Sequence, residues 1–251
     1  MYRVVDRVVS DSFHKFIYYD DESISSLRSL ENEYVPKVNS SEPIVVYVSD
    51  LGLPKLDTTL DLDSYRITIF HERYWELSIV LAIIERLMSH IDVSELNNRL
   101  IETFRLFSFI SKRKIKDVNT LRDMLYDSKN MFRDGFLEYM KTGKIEFYDK
   151  VPIQFVMIDN MLSHIKSDLG LERHFTFMVD VNEEIDKYTC KSINDYVASR
   201  CTGYLSMNIL LNRDTVWKSW YSNNGQLVEY IHDYIELDLT KHIIRSRDIR
   251  N

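Results

Sequence analysis

Alanine is almost missing from this chain: Ala82 and Ala198 are the only two in 251 residues. In an ordinary globular protein it is among the commonest residues. Glycine (six) and proline (four) are scarce as well. These three have the most GC-rich codons, so their joint depletion points to an AT-rich coding genome, a statement about origin rather than chemistry. The shortage also has physical consequences. The best helix former is unavailable, so helices must draw their stability from packing. Ile, Leu, Val, Phe, Met and Tyr must fill the core, and close helix crossings are expected only near Ala82 and Ala198. With so few glycines, a phosphate site lined by backbone amides is not expected.

Two cysteines, Cys190 and Cys201, cannot build a disulfide framework. Eleven residues apart, without Cys-x-x-Cys spacing, they read as reduced, buried thiols. No window approaches the ~18 continuous apolar residues of a membrane span. The most apolar run, Leu77 to Ile84, is broken by Glu85 and Arg86. The N-terminal Met1-Tyr-Arg-Val-Val-Asp-Arg has no signal-peptide core. A soluble protein is expected, cytoplasmic, or nuclear if its one basic run is an import signal. Net charge is −7, which argues against nucleic-acid binding as its main business.

What the chain does contain is hydrophobic side chains (45%) with ordinary charge (28%), a composition that folds. All four prolines precede residue 153, three of them between 36 and 54. In that N-terminal quarter, Tyr2–Val9, Phe13–Tyr19, Ile44–Val48 and Tyr65–Phe70 read as strands, with a short helix at Ile24–Leu30. From His71 onward apolar residues recur at three and four, as in Leu77, Val80, Leu81, Ile84, Leu87 and Met88. Asp92-Val-Ser-Glu95 resembles a capping box and opens the next helix. Another runs from about Asn119 to a stop at Thr142-Gly143, and one more from Ile153 to Gly170. Leu171–Tyr188 reads as a helix, Ser192-Ile-Asn-Asp195 opens another, and two more follow around the turn Ser222-Asn-Asn-Gly225. The last of them carries Val228, Ile231, Ile235, Leu239 and Ile243. The expected fold is therefore mainly α: a helical bundle of seven or eight helices over about 71–248 with a small β-containing N-terminal part. The corresponding division is 1–70, strands and loops, and 71–251, a helical domain.

Few constellations carry chemistry. Glu229-Tyr-Ile-His232 has the spacing of a carboxylate-bridged metal site, but a second such motif is lacking, and His232 with Glu236 makes a simple surface pair. Asp20-Asp21-Glu22 and Asp57, Asp61 and Asp63 lack the spacing of a calcium loop. Lys112-Arg113-Lys114-Ile115-Lys116 is the one dense basic run, suited to a helix end or to an anion or acidic partner. Trp217, Trp220 and Tyr221 are expected in a short helix, as core or as interface anchors.

Residues Ser192–Gly203 resemble the stretch of class I terpene cyclases in which Tyr-x-x-x-Arg precedes Thr and Gly. The resemblance implies a shared helical layout over Phe136–Gly203 and a diphosphate contact at Arg200. The chain departs from that family at Leu106-Phe-Ser-Phe-Ile110, where the family places its Asp-rich metal motif. Without those carboxylates no magnesium cluster can ionise a diphosphate.

The expectation is a non-enzymatic interaction protein, viral by its coding bias, that binds a host or viral partner protein. Trp217, Trp220 and Tyr221 are the candidate partner contacts, and Lys112, Arg113, Lys114 and Lys116 the anion or acidic-partner contacts. No catalytic residue, metal or cofactor is assigned, and neither nucleic acid nor membrane is an expected partner. One alternative is an enzyme with a helical-bundle site, metal-dependent or a degenerate terpenoid synthase, drawing on His71, Glu72, Arg200, Glu229 and His232. The other is a structural or replication accessory subunit.

Overall fold

The computed structural model describes residues 6–10, 12–49, 62–145, 150–153, 158–181, 187–199, 203–222, 225–229 and 234–239. In chain order the elements are α1 (Asp6–Ser10), β1 (His14–Tyr19), α2 (Asp21–Glu33), β2 (Ile44–Val48), α3 (Ser64–Met88), α4 (Val93–Arg99), α5 (Ile101–Ser111), α6 (Val118–Thr142), α7 (Ile158–Leu169), β3 (Phe175–Val181), α8 (Lys187–Ser199), β4 (Leu205–Asn212) and β5 (Tyr234–Asp238). They form two compact units. Met1–Val35, Ser41–Asp50 and Arg173–Asn251 make the first; Pro36–Ser40 and Leu51–Glu172 make the second.

The first unit is built on a five-stranded sheet in the order β2-β3-β4-β1-β5, every pair parallel. This corrects the expectation of a mainly α bundle with strands confined to the N-terminal part: the fold is α/β. Phe175–Val181 and Leu205–Asn212, read as helical from sequence, are the two inner strands β3 and β4, and Ile235 lies in β5. The physical reason is burial on both faces. Every residue of β3 is buried, as are all but the last of β4. Such strands read as continuous apolar runs without alternation, and periodicity cannot separate them from buried helix.

Parallel neighbours require crossovers, and these are right-handed. The chain runs one way across the sheet from β1 to β2 and the other way from β3 to β4, which places α2 and α8 on opposite faces. Val8 and Val9 of α1 and Leu27 and Leu30 of α2 pack on Ile17, Val45, Met178, Leu210 and Leu237. On the other face, Tyr196 of α8 meets His14 edge-on at 6.2 Å. Phe16, also on that face, gathers Trp217, Trp220 and Tyr234 at 5.0, 5.1 and 4.9 Å.

The second unit is helical. Tyr65–Phe70, expected as a strand, is the start of α3, which runs without a break through 70 and 71. Its large apolar residues from Leu77 to Leu87 are all buried, as their spacing predicts. Phe70 packs on Phe136 and Tyr139 of α6 at 5.4 and 5.6 Å. Asp92 caps α4 as its sequence foretells, accepting from the Ser94 and Glu95 amides. The single helix expected to follow is broken at Leu100 into α4 and α5. The Asp168 carboxylate accepts from both the Thr103 amide and hydroxyl, at 2.9 and 2.8 Å, tying α5 to α7. Gly143 ends α6 with φ +68°, and Gly170 follows α7 with φ +64°, where glycine avoids the steric cost of a left-handed residue. Ala82 and Ala198 are half-buried, so neither marks a fully buried crossing.

Candidate functional site

In an open parallel sheet, ligands bind beyond the carboxyl ends of the strands, where neighbouring strands lead to opposite faces. Here that point lies between β1 and β4. Chain leaving β1 turns onto the α2 face; chain leaving β4 reaches Trp217 and Trp220 on the other.

Toward that end of the sheet, on its α2 face, the chain's own polar groups satisfy one another. Asp180, near the end of β3, has a side chain only 7% exposed. Its Oδ1 accepts from the Tyr19 hydroxyl at 2.7 Å and its Oδ2 from the Tyr47 hydroxyl at 2.9 Å. Arg28 of α2 donates from Nε to the Tyr47 oxygen at 2.9 Å and stands 3.5 Å from Asp180 Oδ2. Its guanidinium also covers the Tyr47 ring. Burial, then the bond to Asp180, raises the Tyr19 pKa well above the ordinary tyrosine value. Burial also raises that of Tyr47. Both phenols thus stay protonated and donate to a carboxylate whose two oxygens are both engaged. The Arg213 amide closes the β1–β4 gap by donating to the Tyr19 carbonyl at 2.9 Å.

The β1–α2 turn is equally closed to an anion. It consists of Asp20 alone, and the first glycine of the chain is Gly52. The Asp20 carboxylate accepts from the Ser23 amide at 2.9 Å while the Ser23 hydroxyl accepts from the Asp20 amide at 2.9 Å. This reciprocal cap occupies the amides that would otherwise face a phosphate, and Asp21 and Glu22 add like charge. The Ser23 bonds hold Asp20 below the usual carboxylate range.

The aromatic candidates separate. Trp217 is buried against Phe16, and Trp220 is half-buried, stacked on Tyr234 at 5.2 Å. The segment is not the expected short helix: Tyr221 bridges Leu227 in antiparallel fashion, forming a turn. Tyr221, Leu227 and Val216 stand out of the surface, 54, 47 and 72% exposed. The turn is held firmly. The Ser222 amide donates to the Gln226 carbonyl and the Val228 amide to the Trp220 carbonyl, at 2.8 and 2.9 Å. Buried Asn194 of α8 donates to the Ser219 and Tyr221 carbonyls at 2.7 and 3.1 Å.

The basic candidates Lys112, Arg113, Lys114 and Lys116 are all exposed, in the bend between α5 and α6. His71 is buried against Phe136 at 5.1 Å, while Glu72 is half-buried beside it in the chain. Glu229 is exposed. Arg200, Cys201, His232, Asp57 and Asp61 lie outside the described residues, and so do the terpenoid-synthase-like and Glu-x-x-His readings that rest on them. Asp63 caps α3, and Cys190 is buried. Among the described residues no three His, Cys, Asp or Glu side chains are placed to hold a metal ion. Nor is any helix among them long and apolar enough to cross a membrane.

Sequence reasoning missed Asp180, Tyr19, Tyr47 and Arg28. A usable signal was present: Phe-Thr-Phe-Met-Val-Asp-Val is short, rich in aromatic and β-branched residues, and ends next to a carboxylate. Length and composition of that kind mark a buried strand with a polar residue at its carboxyl end. No family model, curated protein or solved structure matches the chain, and its function has to be read from its own residues.

Proposed function

We propose that the protein is a non-enzymatic binding module that engages another protein through residues 215–222 and 225–228. The observation that carries this reading is the exposure of the bridge partners Tyr221 and Leu227, held by backbone bonds and by Asn194, with exposed Val216 five residues before Tyr221. Exposed apolar side chains grouped on a rigid support are a feature of docking surfaces, and tyrosine is a favoured anchor in them. Rigidity matters because little ordering entropy remains to be lost on binding. The polar cluster toward the sheet's carboxyl edge supports the same reading, since Asp180, Tyr19, Tyr47 and Arg28 already satisfy one another there.

A photo-crosslinking residue at position 216 tests the proposal in lysate of the native host. One stoichiometric protein adduct is expected, and Tyr221→Ser with Leu227→Ser should reduce its yield about tenfold or more, the loss of a central interface anchor. An adduct yield indifferent to both changes overturns the reading. So does a metal or small molecule retained on native mass spectrometry with turnover of a substrate.

A further inference from the structure

A second surface lies in the helical unit, at the corner where α5 ends. Phe109 is 83% exposed, more than any other large hydrophobic side chain among the described residues. Ile101, Arg105 and Phe109 follow one another at four-residue spacing on the solvent side of α5, and the basic bend begins three residues later. Lys112, Arg113, Lys114 and Lys116 project from that bend, while Ile115 between them is buried.

The bend is fixed rather than loose. The Ser108 hydroxyl accepts from the Ile115 amide at 2.9 Å. The Ser111 hydroxyl donates to the Phe107 carbonyl at 2.7 Å and accepts from the Arg113 amide at 3.3 Å. The Val118 amide, just past the bend, donates to Asn97 Oδ1 at 2.8 Å. Lys112 itself is held at φ +54°, a left-handed conformation that a lysine adopts only where its surroundings impose it. Four cations and one aromatic ring are thereby presented in a set arrangement, with no carboxylate paired to any of the four cations among the described residues.

From this we infer that the α5–α6 corner docks an acidic segment of a partner protein. An apolar side chain of that segment sits on Phe109 and its carboxylates face Lys112, Arg113, Lys114 and Lys116. Charge complementarity selects the occupant: a local cluster of positive charge attracts a short acidic segment confined to the corner, whereas a long polyanion would run on over a chain of net charge −7. The extent of the corner points the same way. α5 has 11 residues, about 16 Å, and carries Glu102 on the same solvent side. That is room for a short peptide rather than for a track of phosphates.

The test uses the full chain and a fluorescein-labelled peptide, Glu-Asp-Glu-Leu-Phe-Asp-Glu-Asp, read by fluorescence anisotropy. Binding is expected, weaker by about tenfold when salt rises from about 0.05 to about 0.3 M, because the pairs are exposed. Phe109→Ser should weaken it about fivefold or more, and Lys112→Glu with Lys114→Glu about tenfold or more. Lys141→Glu with Lys144→Glu, the same charge change elsewhere on the unit, should leave it within about twofold. All these side chains are exposed, so unchanged thermal unfolding certifies each variant. Absence of binding overturns the inference. So does equal affinity for a peptide with Ser-Ser in place of Leu-Phe, or an equal effect of the distant charge reversal. Tighter binding of single-stranded oligothymidine would identify a nucleic-acid surface instead. Self-association abolished by the same substitutions would identify a second copy of the chain as occupant. Crosslinking at position 216 does not involve these residues, so this inference and the proposed function fail separately.

Discussion

Replacing Asp180 by Asn keeps the shape of the side chain and removes one acceptor from a buried polar cluster toward the sheet's carboxyl edge. Asp180 accepts one phenolic proton on each oxygen. Asn offers only one carbonyl oxygen, so one phenol loses its acceptor, at a cost of about 1–3 kcal/mol for a buried donor. The ion pair to Arg28 adds little: the guanidinium is 54% exposed, and a solvent-facing pair contributes about 0–1 kcal/mol. The expected loss is about 1–4 kcal/mol in total. Tyr19→Phe should cost about 1.5–3 kcal/mol, because it strips a hydrogen bond from a buried charge. Double substitution with Asp180→Asn should cost less than the sum, since both act on one bond. Urea unfolding provides the measurement, followed by Trp217 and Trp220 fluorescence in a Trp75→Phe background common to all variants. Alkaline pH supplies an independent check. The phenols of Tyr19 and Tyr47 hold their protons more tightly when folded, through burial first. That contribution is fully present below about pH 10 and is lost as pH rises beyond it, by up to about 1.4 kcal/mol per unit for each phenol. Asp180→Asn should shrink this dependence without abolishing it. Stability of Asp180→Asn within about 0.5 kcal/mol of the parent, or Tyr19 ionising near pH 10 in the folded protein, would refute the reasoning.

Gly143 and Gly170 both sit at positive φ, but a Cβ at Gly143 meets nothing within 4 Å while one at Gly170 falls 2.3 Å from Asn39 Oδ1. Gly143→Ala should cost about 1–2 kcal/mol from the left-handed backbone alone. Gly170→Ala should cost about 1 kcal/mol more, and Asn39→Gly should cancel that excess in a double-mutant cycle of urea unfolding. The lowered Asp20 pKa makes its cap on α2 fully effective above the ordinary aspartate value and lost as pH falls through the folded one. Protection of the amides in the first turn of α2, taken against their intrinsic exchange rate at each pH, should therefore fall below about pH 4, and Asp20→Ala should show the low protection at every pH.

Helix termini were the most legible part of the sequence. Asp92 caps α4 and Gly143 ends α6 where local chemistry places them, because a cap is satisfied within four residues. Ile44–Val48 is the strand its β-branched run announces, and Phe13–Tyr19 differs from β1 by one residue. Misreading began where burial erased the pattern. Phe175–Val181 shows no alternation because both of its faces are buried. Val228, Ile235 and Leu239 are spaced as on a helix, yet Ile235 lies in a strand and Val228 in a turn. The candidate site was less legible still. Tyr19, Tyr47 and Asp180 are 28 and 133 residues apart along the chain and meet only because β2 joins the sheet beside β3.

The scarcity of alanine and glycine determined, without any structure, that no glycine-rich phosphate loop follows β1 and that large side chains fill the core. Composition acts locally or on average, so it is readable from the chain alone. Strand order, the meeting of Asp180 with two phenols and a guanidinium, and the burial of Trp217 beside an exposed Tyr221 were decided by tertiary structure. They depend on crossovers that bring distant segments together, and no short stretch of sequence records which strand a neighbour will be.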